Sequence, residues 1–124
     1  MRVLLVDDSA VMRKILARSI TKAGYAVDTF LEAADGQQGL DVLGKEGKVD
    51  LILSDWNMPI MDGLEFVEEV RNGDDETKDI PIVMVTTEGG DSKVAESVAA
   101  GANGHVKKPF TAEDLQSALG KFLS

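Results

Sequence analysis

The chain has 124 residues, with 13 basic against 22 acidic side chains and a formal net charge of −9. That length fits one domain with a real core, and the charge disfavours nucleic acid and anionic membrane surfaces as partners, leaving proteins and a cation. With no cysteine, disulfide frameworks and thiolate metal sites are excluded and a reducing compartment is allowed.

The apolar run after Met1 is too short for a signal peptide, and nowhere do about 18 apolar residues follow one another, so a soluble, cytoplasmic protein is expected, and a monomer is the expected state. Val3 to Val6 reads as a first buried strand running into Asp7 and Asp8. Ser9 then caps a helix with an inward stripe of Met12, Ile15, Leu16, Ile20 and Ala23, ended by Gly24. Val27 to Ala33 is more polar than the other apolar runs, as expected of a strand at the sheet edge. Gly36 to Leu43 predicts a weak helix diluted by Gly39, with Gly44 and Gly47 flanking the turn into the next strand.

Leu51 to Ser54 is the central strand, and it stops on Asp55. Pro59 interrupts regular structure, and Asp62 caps a helix with Leu64, Val67 and Val70 inward. A charged loop from Asn72 to Asp79 leads to the fourth strand, Ile82 to Val85, which runs into Thr86 and Thr87. After Gly89-Gly90 comes a helix with Val94 and Val98 inward, ended by Gly101. The short strand Gly104 to Val106 runs into Lys107 and Lys108, and Thr111 to Asp114 opens the last helix as a capping-box variant with Leu115, Ala118, Leu119 and Phe122 inward. Strand then helix, five times over with short connections, predicts an α/β fold: a doubly wound parallel sheet with helices on both faces, in a single domain over residues 1–124.

Such sheets bind ligands at the carboxyl ends of their strands, where this chain gathers carboxylates, a hydroxyl and an ammonium. Several carboxylates at one site repel one another, and a divalent cation removes that penalty. Oxygen ligands without His or Cys select a hard ion, with Mg²⁺ the natural candidate. The same set outlines a phosphoryl-transfer site. Asp55 would attack, Asp8 and Asp55 would hold the metal with Asp7 binding it through water, and Lys108 and Thr86 would contact the phosphoryl group. Taken singly, Asp7 or Asp62 is an ordinary helix cap and Lys107 a solvated lysine. Trp56, the only tryptophan, is expected as a partly exposed loop residue.

Asp7-Asp8, Ser54-Asp55-Trp56-Asn57-Met58-Pro59 with Met61-Asp62-Gly63, Val85-Thr86, and Lys108-Pro109-Phe110 together resemble the response-regulator receiver domains of the single-domain, CheY-like kind. The resemblance covers essentially the whole chain. It implies the flavodoxin-like strand order 2-1-3-4-5, which is the family's example of that topology. It further implies Asp55 as phosphoacceptor, the backbone carbonyl of Asn57 as a metal ligand, Lys108 rather than Lys107 in the phosphate role, and a cis Lys108-Pro109 bond. Thr86 with His105 would form the switch, His105 standing where the CheY-like pattern has a phenol. Asn57 and Glu88 would tune dephosphorylation.

The implied function is a two-component signalling switch, not an enzyme with independent turnover. It would be phosphorylated by a CheA-like histidine kinase in a Mg²⁺-dependent reaction. It would act as a chemotaxis messenger to a flagellar motor switch protein, or meet a phosphatase, through helix 4, strand 5 and helix 5. A phosphorelay intermediate, a phosphate sink, a Mg²⁺-dependent haloacid-dehalogenase-type phosphatase and a flavodoxin-like flavin binder are the alternatives. The phosphatase pattern wants Asp-x-Asp after its first strand, whereas these acids are adjacent. Asp-Asp-Ser-Ala after the first strand is electrostatically unsuited to cradling a flavin's phosphate.

Overall fold

In the computed structural model, which describes residues 1–73, 75–87 and 91–122 together with the backbone but not the side chain of Asp91, ten elements alternate. They are β1 (Arg2–Val6), α1 (Ala10–Lys22), β2 (Thr29–Ala33), α2 (Gly36–Glu46), β3 (Leu51–Ser54), α3 (Gly63–Arg71), β4 (Ile82–Thr86), α4 (Asp91–Ala100), β5 (Gly104–Lys107) and α5 (Ala112–Leu119). All strand pairs are parallel, in the order β2-β1-β3-β4-β5. β3 and β4 are buried throughout, as parallel strands covered on both faces must be, and β2 lies at the edge with only Ala33 buried.

Strand alternation divides the core in two. Leu4, Val6, Ile52, Ile82 and Met84 meet Leu43 of α2 and Phe66, Val67 and Val70 of α3 on one face. Val3, Leu5, Leu51, Leu53, Val83, Val85 and Val106 meet Leu16 and Ile20 of α1 and Leu115 and Leu119 of α5 on the other. Side-chain caps start the helices. Ser9, Asp35, Asp62 and Thr111 each accept a backbone N–H of the first turn, and Asp114 returns a bond to the Thr111 N–H to complete the capping box. Gly24 and Gly101 close α1 and α4 with φ of 101° and 117°.

The helices are where the sequence reading needs correction. Ile15 and Val98, expected inward, are exposed by 41% and 61%. Each helix buries only the part of its apolar arc that a neighbour covers, and Ser97 rather than Val98 turns in from α4, its hydroxyl donating to the Val94 carbonyl. Phe66, absent from the expected stripe of α3, is fully buried, whereas Leu64 is only partly so. Gly39, a poor helix former, also has a packing role in α2. A Cβ there would meet the Phe66 ring at 2.8 Å, so the bare backbone is what lets α3 approach. Gly44 lies inside α2, which runs on to Glu46 and is capped by Gly47, and Val27 lies ahead of β2. Gly89-Gly90 falls outside the described residues.

Candidate functional site

Alternation continues past the strand ends. Asp7 follows Val3 and Leu5, Asp55 follows Leu51 and Leu53, and Lys108 follows Val106, all on the α1/α5 face of the sheet. The three side chains therefore meet. Lys108 Nζ stands 3.1 Å from Asp7 Oδ2 and 3.4 Å from Asp55 Oδ1, with side-chain exposures of 15%, 2% and 12%.

Backbone bonds hold each group in place. The Asp7 N–H donates to the Ala33 carbonyl at 3.0 Å, the Asp55 N–H to Val6 at 2.8 Å and the Lys108 N–H to Thr86 at 2.8 Å. Asp7 Oδ1 accepts the Ser9 N–H at 2.8 Å, and Asp55 Oδ1 accepts the Trp56 N–H at 2.8 Å. Arg13, which carried no sequence signal for the site, donates to the Asp7 carbonyl and to Glu32, tying α1 to the rim.

Asp8 completes the acidic group and is exposed; one oxygen from each of Asp7, Asp8 and Asp55 falls within 4.8 Å of the others. Burial and then the charge of Asp7 push the Asp55 carboxyl above its ordinary range, and these outweigh the opposing pull of Lys108 and the Trp56 N–H. A carboxylate that is costly to ionise, in an all-oxygen cluster without His or Cys, suits a hard divalent cation.

Thr86 ends β4 fully buried, with the parity of Ile82 and Met84. Asn57 is exposed beyond Trp56, and Glu88 lies outside the described residues. Lys107 is exposed as expected, and the Lys108-Pro109 bond is cis. His105 is half-buried on β5, pairs in register with Met84, and borders a groove with Lys107, Asp114, Ser117 and Lys121.

Trp56 is not a partly exposed loop residue. It is 5% exposed and packs in the α2/α3 core, because it continues the alternation of Ile52. Its carbonyl accepts the Gly63 N–H at 2.8 Å, and the Lys93 ammonium of α4 lies 5.1 Å from its ring centroid, a cation–π contact of about 0.5–2 kcal/mol. The parity of Trp56 was available in the sequence. The partner on α4 was not.

Residues 3–120 match the family described as the response regulator receiver domain. The chain belongs to that family. A "Chemotaxis protein CheY homolog" of Campylobacter jejuni is 44% identical over 119 residues, 96% of this chain and 89% of the relative. "Chemotaxis protein CheY1" of Helicobacter pylori is 40% identical over 119 residues, 96% of this chain and 94% of that one. The solved structure of the Vibrio cholerae chemotaxis protein CheY4 superposes with a TM-score of 0.83 at 42% identity, covering 98% of each chain. This receiver is thus homologous to CheY chemotaxis proteins, a two-component signalling switch rather than a classical enzyme, and the phosphatase reading is not favoured.

Proposed function

We propose that Asp55 is the phosphoacceptor of this receiver, and that a CheA-like histidine kinase is its donor. The observation that carries this reading is the Asp55 carboxylate itself, held at the end of β3 between the Lys108 ammonium and two further acids. One Asp55 oxygen attacks the phosphorus of the donor's phosphohistidine; the P–O bond forms, the P–N bond breaks, and the imidazole leaves with the electron pair. Lys108 moves from the carboxylates to the arriving phosphoryl oxygens, and Thr86 donates its hydroxyl to them.

Mg²⁺ would be held by Asp8, Asp55 and the carbonyl of Asn57. Asp7 would act through water, since its two oxygens are already engaged by Ser9 and Lys108. When bound, the cation would supply charge neutralisation on the transferring group. Asn57 and Glu88 tune the return attack by water that ends the signal. His105 follows Thr86, and the face of α4, β5 and α5 carries the signal, as a chemotaxis messenger, to a flagellar motor switch protein or a phosphatase. A phosphorelay intermediate or phosphate sink would use the same site with a different recipient. We read residues 1–124 as a single monomeric receiver acting in the cytoplasm, and no helix among the described residues is long and apolar enough to cross a membrane.

Intact mass after incubation with acetyl phosphate and Mg²⁺ tests the acceptor. The unsubstituted chain gains one phosphoryl group and Asp55→Asn gains none. An equal gain in the variant would place the acceptor elsewhere.

A further inference from the structure

Lys93 is the third residue of α4, where a cation opposes the positive end of the helix dipole. It is partly offset by Glu96, one turn on at 3.7 Å, but Glu96 is 54% exposed and the pair is loose. The better-protected contact is the one to Trp56, whose ring is buried while the Lys93 side chain remains 41% exposed. Trp56 in turn donates its backbone N–H to Asp55 Oδ1, and its backbone carbonyl accepts the N–H of Gly63, the first residue of α3. Asp55, Trp56 and Lys93 thus form a continuous path from the acid rim to the first turn of α4. The far end of α4 is fastened separately, by Arg71 donating to the Gly101 carbonyl at 2.9 Å.

We propose that Lys93 is a positioning residue for the switch: through its contact with the Trp56 ring it sets where the first turn of α4 lies, according to the state of Asp55. The inference rests on the reading of Asp55 as acceptor. A phosphoryl group adds negative charge beside the bond that anchors Trp56. That charge acts on the indole's backbone anchor and on the ammonium over its face. With the C-terminal end of α4 held by Arg71, the response appears as a displacement of the N-terminal end.

Amide hydrogen exchange across α4 and the emission of the sole tryptophan, each with and without Mg²⁺ and beryllofluoride, test it in the full chain. In the unsubstituted chain both change on addition. In Lys93→Met, which keeps an apolar stem without the charge, both changes are largely lost. Lys93→Arg restores them, because a guanidinium also binds an indole face, and Glu96→Gln leaves them as they were. Full responses in Lys93→Met, or an arginine variant that behaves like the methionine one, would overturn the proposal. Phosphoryl gain from acetyl phosphate, read by intact mass, stays equal in Lys93→Met and the unsubstituted chain. Its absence from both would overturn the acceptor reading and this inference with it.

Discussion

Asp7 and Asp55 occupy the next places in the series Val3-Leu5 and Leu51-Leu53, and their backbone amides are bonded to Ala33 and Val6 on neighbouring strands. On the α4 flank, Lys93 reaches Trp56 and Arg71 reaches Gly101 only because one helix lies against its neighbours. The rim is positioned by strand ends and the hydrogen-bond ladder, which fix a side chain's side and height together. The flank is positioned by a few side chains that cross between elements. The difference teaches that damage to the rim should remove chemistry, whereas damage to the flank should leave chemistry in place and weaken the conformational response to it.

The largest expected effect breaks the rim from beneath. A Cβ at Gly63 would lie 2.1 Å from the Asp55 carbonyl oxygen and 2.8 Å from the end of the Met84 side chain. Gly63→Ala must therefore part α3 from the Asp55 loop, at a cost of about 3 kcal/mol or more. Urea unfolding measures the loss, and phosphoryl uptake should fall with it. A loss under about 1 kcal/mol would mean that the loop is not pinned there.

Next comes the flank. Arg71 donates to the carbonyls of Lys78, Ile80 and Gly101 and to Asn103 Oδ1. Arg71→Ala leaves those acceptors to find water and should cost about 2 kcal/mol. Phosphoryl uptake at Asp55 should remain near that of the unsubstituted chain. Should uptake fall as steeply as in Gly63→Ala, the separation of rim from flank would not hold.

The smallest effect is electrostatic. Burial and the Asp7 charge raise the Asp55 carboxyl above its ordinary 3.8. The folded chain therefore holds that proton to higher pH than the unfolded chain does. Stability drawn from the protonated form is present below 3.8 and is lost as pH rises through the folded value. In a chelator, Asp55→Asn should melt a few degrees above the unsubstituted chain at neutral pH, and this advantage should fade in acid. Calorimetry over a pH series checks the sign; equal melting at neutral pH would show that the carboxylate carries no such penalty.

The sequence by itself determined the alternation of strand and helix, the acids and lysines that end the strands, and the caps at Ser9, Asp62 and Thr111. Each of these is written in a few consecutive residues, because period-two alternation and capping are local. Asp55 could be named as a strand-end acid without knowing its neighbours. The tertiary structure decided which helix arcs are covered, so that Ile15 and Val98 face out and Phe66 faces in. It also decided that Gly39 is where the Phe66 ring comes close, and that Trp56 lies under Lys93. Those facts join residues far apart in the chain, and a helix, unlike a strand ending on a reactive side chain, does not encode which neighbour will cover it.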